Sequence, residues 1–194
     1  SGPIFLEDVG VGECSFQGID VWGRQVNPEV ATPIESYLKN DGGTLWLLGL
    51  KTERPNTVIK TVGGGETELL GGFIFPVGAV PTTLPAFINE GSSHSLTYVT
   101  NGSTDYQVQV REIRGGTVLE LLKADVLPRG RASAVPLFVG YGEGDGAGDG
   151  TGVGGGSGPR LNPLLVTAAV AGAAILTGLA IWFGTRKKTR DHSP

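Results

Sequence analysis

Gly42-Gly43-Thr44-Leu45-Trp46-Leu47-Leu48-Gly49-Leu50-Lys51-Thr52-Glu53 and Gly64-Gly65-Glu66-Thr67-Glu68-Leu69-Leu70-Gly71-Gly72-Phe73-Ile74-Phe75 follow one plan. Leu47-Leu48-Gly49 falls on Leu69-Leu70-Gly71 at an offset of 22 residues, and the same offset lays Gly42-Gly43 on Gly64-Gly65. Between them, Arg54-Pro55-Asn56 breaks the chain and Thr57 to Val62 supplies a second short extended run. Short strands divided by glycine turns at a fixed period mark a solenoid, in which each coil adds one strand to each of several parallel sheets. An earlier echo sets Val21-Trp22-Gly23-Arg24 against Leu47-Leu48-Gly49-Leu50 at a displacement of 26, with Asn27 to Pro33 looping out the excess. On periodicity alone, a β-sandwich ectodomain built of meandering hairpins is the alternative.

Working outward, Ile4-Phe5-Leu6, Ile19 to Trp22 and Arg24 to Val26 have strand character between Gly10, Gly12, Gly18 and Asn27-Pro28. Ile34 to Lys39 fits either a helical turn or a strand. Residues 1–76 are therefore expected to form the coils. After Pro76 the pattern changes to Ala86–Asn89, Ser95–Val99, Tyr106–Ile113 and Val118–Leu122, with Asn101-Gly102 and Gly115-Gly116 as hairpin turns. Residues 77–139 are expected to be a small antiparallel cap over the apolar end of the solenoid. The expected fold is all-β, the C-terminal coils of a right-handed parallel β-helix with this cap, followed by one transmembrane α-helix.

That helix is read from residues 164–184, twenty-one positions without a charged side chain, the length that crosses about 30 Å of hydrocarbon. Its core is Leu164, Leu165, Val170, Gly172, Ile175, Leu176, Leu179 and Ile181. Arg186, Lys187, Lys188 and Arg190 follow in residues 185–194, and the positive-inside bias assigns this tail to the cytoplasm and the preceding part to the outside. Residues 140–163 form a linker; from Gly140 to Gly158 eleven of nineteen positions are glycine, too little apolar surface to offset ordering entropy. Ala168 with Gly172, and Ala174 with Gly178, have the small-xxx-small spacing of helix pairs, a weak signal for dimerisation in an alanine-rich span.

Outside the tail the formal charge is -7 and within it +3, a balance that disfavours nucleic acid, whose phosphates need a basic face. A single cysteine, Cys14, excludes an internal disulfide framework; it reads as a small apolar residue, with pairing to another chain as the sharper alternative. The chain starts at Ser1 without a signal peptide while its topology requires export, so we expect the C-terminal portion of a longer precursor whose upstream coils precede it.

The run Gly43 to Glu53, continuing through Thr57-Val58-Ile59 to Glu66–Gly72, resembles the C-terminal coils of the pectate-lyase-like superfamily of right-handed β-helices, as do Leu6-Glu7-Asp8-Val9, Trp22 to Glu29, Pro85 to Glu90 and Arg111 to Gly116. The resemblance covers residues 4 to 116 and implies a carbohydrate-directed protein whose chemistry lies on the parallel sheet of central coils. In that family acidic calcium ligands with a basic residue, or clustered aspartates, do the chemistry. Asp8, Asp20, Asp41, Asp105 and Asp125 are scattered, and no active-site residue carries over.

Glu7, Asp8 and Asp20 read as solvated turn carboxylates, since neighbours on a strand diverge unless a bulge intervenes. Glu143, Asp145 and Asp149 read as a plain acidic linker, and His94, between two serines, as an exposed polar loop. Trp22, Trp46, Phe73 and Tyr98 are candidates for a sugar-stacking surface, with the interior as their usual place in a solenoid. Asn101 heads a glycosylation sequon. No cofactor is expected. The expected partners are the lipid bilayer, the upstream coils and cell-surface polysaccharide, and the expected location is the plasma membrane or cell surface. The leading function is structural or carbohydrate-binding. The alternatives are a tethered polysaccharide lyase or glycoside hydrolase with its active site upstream, and a membrane-anchored viral structural protein.

Overall fold

The computed structural model describes residues 2–101, 105–129 and 132–141. The transmembrane core, the basic tail, the acidic positions of the linker and the Ala168/Gly172 and Ala174/Gly178 pairs lie outside the described residues. Among the described residues no helix is long and apolar enough to cross a membrane.

The chain winds as a right-handed β-helix-like solenoid of about four turns. Each turn gives a long strand to one sheet and a shorter one to the other. The first sheet takes β1 (Ile4–Val11), β3 (Val21–Pro28), β5 (Thr44–Thr52), β7 (Glu66–Ile74) and β9 (Ser93–Thr100), paired in parallel in that order. The second takes β2 (Cys14–Gln17), β4 (Leu38–Asp41), β6 (Ile59–Val62), β8 (Pro85–Glu90) and β10 (Val108–Arg114), again parallel. Consecutive strands thus alternate between sheets, which a sandwich of hairpins does not do. The Leu47↔Leu69 and Leu48↔Leu70 pairs realise the 22-residue offset. The earlier echo is displaced by 24, not 26, because Trp22 pairs with Trp46 and Gly23 with Leu47.

The expected boundary at Pro76 is corrected. β8, β9 and β10 are parallel solenoid strands, not an antiparallel cap, and β9 and β10 lie in different sheets, so they are not the two arms of a hairpin. The strand at Tyr106–Ile113 was legible and is realised from Val108; the direction of pairing was not, because a strand is written alike in either orientation. The cap starts later. β11 (Thr117–Leu122) folds back on β10 through Gly115-Gly116, as expected, and β12 (Leu127–Arg129) and β13 (Ala132–Gly140) close the first sheet, β13 running antiparallel to β9. Register breaks in β13 between Val135 and Phe138, where Pro136 has no N–H to give the ladder.

Inward side chains stack coil on coil. Leu47, Leu69 and Leu96 form one fully buried column, and Val26, Leu50 and Tyr98 belong to another. In β1, β3, β5 and β7 the inward positions skip one residue midway, as in Leu45, Leu47, Leu50, Thr52. The skip falls on Asp8, Gln25, Gly49 and Gly71, each with positive φ, so a stacked column of left-handed residues bends the sheet along one line. Where the two sheets meet at the glycine turns the interior is polar. Asn40 Nδ2 donates to the carbonyls of Gly43 and Glu66, each at 2.9 Å, and the Thr61 hydroxyl meets those of Thr67 and the His94 ring. Asn40 thereby bonds carbonyls at the turns, and the hydroxyls and the imidazole satisfy one another.

Candidate functional site

Outward-facing positions on the first sheet come into register across the coils. Phe5 lies beside Trp22, Trp22 beside Trp46, Trp46 beside Glu68, Glu68 beside Ser95, and Ser95 beside Val139. At the usual strand spacing this row is about 24 Å long. Phe5 is 74% and Trp22 41% exposed, and the two indoles tilt against each other at a centroid separation of 5.8 Å. A parallel row contains Thr44, Glu66 and Ser93. Both rows drain into an open groove of about 460 Å³ bounded by Trp22 and Trp46 at one side and Val139, Gly140 and Tyr141 at the other, with Glu66 and Glu68 between.

The interior expectation for the aromatic residues is corrected for three of the four. Trp22, Trp46 and Phe73 occupy outward positions, because the alternation that buries Leu45, Leu47 and Ile74 points their neighbours away from the core. Phe73 lies across the bend from the Trp22–Trp46 row and stacks on Phe75. Tyr98 is buried, its ring 4.6 Å from that of Phe87, and burial raises its phenol pKa well above the usual value. The signal available in sequence was spacing: Trp22 is one residue after buried Val21, and Trp46 one after buried Leu45.

Bulge geometry does turn both Glu7 and Asp8 outward, yet Glu7 is ion-paired with Arg24, and Asp20 accepts the Thr44 N–H at 3.1 Å. The three are not gathered into one site. Asp105 is buried and accepts from the Tyr106 N–H and the Ser133 hydroxyl, both at 2.7 Å; Asp125 accepts the Leu122 N–H, and Asp41 lies at the end of β4. Among the described residues no three His, Cys, Asp or Glu converge as metal ligands.

His94 is corrected from exposed loop to buried strand. It is 2% exposed on β9, between outward Ser93 and Ser95, with Nε2 against the Thr61 hydroxyl and Nδ1 unpaired among the described residues. Burial lowers its pKa to about 3, so the ring is neutral. Cys14 is a half-buried free thiol at an inward position, its pKa raised by burial and by Glu13, as suits a small packing residue. Asn101 is exposed just past β9, its N–H bonded to the Ile74 carbonyl; the rest of its sequon lies outside the described residues. Comparison of the chain with family models, with curated proteins and with solved structures gave no match.

Proposed function

We propose that the chain is the membrane-proximal part of a cell-surface β-helix protein of pectate-lyase-like type, and that it holds polysaccharide on the outer face of its first sheet. The observation that carries this reading is the in-register, outward-facing row of exposed Phe5 and Trp22 and half-buried Trp46 beside the polar groups of Glu66, Glu68, Ser93 and Ser95. Flat rings on a rigid sheet supply apolar stacking area at little entropic cost, and the flanking oxygens supply directional hydrogen bonds to hydroxyls. A row crossing strands suits an extended polymer better than a single small molecule. The apolar segment at 164–184 and its basic flank support a single-pass anchor with the solenoid outside and the glycine-rich linker as its tether.

The test uses the full chain in detergent micelles, titrated with a panel of neutral and charged polysaccharides while tryptophan fluorescence is recorded. Binding is expected to quench or shift the indole emission, and a Trp22→Ala/Trp46→Ala double variant should bind at least about tenfold more weakly. Unaltered affinity in that variant sinks the reading.

A further inference from the structure

Resting on the reading just proposed, we infer that the polymer held in the groove is an amino sugar in its ammonium form, not an acidic or neutral polysaccharide. Glu66 and Glu68 are two residues apart on β7 and so face the same side, outward, between the Trp22–Trp46 pair and Tyr141. Neither carboxylate has an ion pair or side-chain hydrogen bond among the described residues. Among the described residues the groove is lined by no lysine or arginine, and Arg24, in the adjoining outward row, is already held by Glu7.

Any chain laid across the tryptophans covers these carboxylates and strips water from them. A uronate adds like charge at that place, which costs affinity through repulsion and through desolvation of both partners. A neutral sugar replaces lost water with hydroxyl donors and leaves the charge uncompensated. An ammonium group supplies charge-assisted hydrogen bonds to Glu66 and Glu68, and the electron-rich faces of Trp22, Trp46 and Tyr141 favour the same cation. Selectivity therefore comes from the carboxylates as attraction toward amines and rejection of anions, while the aromatic rings give affinity common to all glycans.

The test titrates the full chain, in micelles, with three oligosaccharide series of equal length: glucosamine, N-acetylglucosamine and galacturonate, near about pH 5.5, where sugar amines are protonated and carboxylates ionised. Calorimetry should show glucosamine bound about tenfold more tightly than its acetylated counterpart, with the gap shrinking at high salt, and galacturonate weakest. In a Glu66→Gln/Glu68→Gln variant that melts like the parent, the two glucosamine series should bind alike, whereas Trp22→Ala/Trp46→Ala weakens both. Equal affinity for amine and acetylated series in the parent, or preference for galacturonate, overturns the charge assignment and leaves the polysaccharide reading standing. Failure of all three series to bind overturns both.

Discussion

Single residues carry the bend of the first sheet. Gly49 and Gly71 hold φ of 82°, and the same place in the preceding coils is filled by Gln25 at 55° and Asp8 at 48°. A side chain in left-handed backbone costs about 1–2 kcal/mol, less for Asp, whose short polar group tolerates it. Gln25→Gly is therefore expected to raise stability by up to about 1 kcal/mol, and Gly71→Ala, whose Cβ would meet nothing within 4 Å, to lower it by about 1–2 kcal/mol through backbone strain alone. Gly43 differs in kind: a Cβ there would lie 2.3 Å from the Ile19 carbonyl oxygen, a clash between neighbouring coils that no rotamer relieves. Gly43→Ala should be the most damaging of the three by urea denaturation. His94 sets a pH dependence. Its pKa is about 3 folded against about 6.5 unfolded, so below pH 6.5 the unfolded chain binds a proton that the folded chain refuses. The stability present above pH 6.5 is then lost on acidification by about 1.4 kcal/mol per pH unit, down to the folded pKa. Between pH 6.5 and 5, before most carboxylates titrate, the parent should lose stability on that slope, and His94→Gln should flatten it. An equal slope in both proteins would remove His94 from the account.

Elements beyond the repeat depend on contacts that no local pattern announces. β13 is the case in point: it covers β9, yet Ala132 to Gly140 contains a proline and a run of apolar residues without strict alternation. What holds it is distant. The buried Asp105 carboxylate accepts from the Ser133 hydroxyl at 2.7 Å and lies 3.4 Å from Lys123 Nζ, joining the β9–β10 connection to β13 and to the turn after β11. Asp105→Ala should cost about 2–4 kcal/mol, with hydrogen exchange accelerating in β13 before it does in β5 and β7; uniform acceleration would show that the cap and the coils open as one unit. The same contrast explains what was legible. Leu47-Leu48-Gly49 and Leu69-Leu70-Gly71 repeat because both coils have short, similar connections, so sequence offset and spatial register coincide. Residues 29–37 and 75–84 insert longer connections, which blurred the β3 echo by two residues and hid the continuation of the coils through β8 and β9. The aromatic row was hidden for another reason: its members, Phe5, Trp22 and Trp46, stand on three different strands, and only the register makes them neighbours.

As a whole molecule the solenoid is closed at one end only. β11, β12 and β13 finish the two sheets on the C-terminal side, whereas β1 and β2 are edge strands with no further partner among the described residues. The inward positions of that first coil, Ile4, Leu6, Val9, Val11 and Cys14, are only partly buried, while their counterparts Val21, Val26 and Leu38 one coil on are almost fully covered. An end surface of this kind presents both unpaired backbone ladders and apolar side chains, the combination that recruits another strand. Bulging at Asp8 and the Glu7–Arg24 pair shield part of the β1 edge, but among the described residues nothing comparable covers Ile4 and Leu6. A coil of the same kind added at this end would continue both parallel sheets in register. Expressed alone, residues 1–141 should therefore associate through this end, sedimenting as a concentration-dependent oligomer. Lysine at Leu6 and Val9 places charge in the contact and should yield monomers, since these inward side chains are only partly buried at the open end. Supplying one designed upstream coil at the N-terminus should do the same and also raise the unfolding midpoint. A parent fragment that is monomeric at every concentration, with no gain from the added coil, would mean that the first coil is a finished end and that the solenoid needs no predecessor.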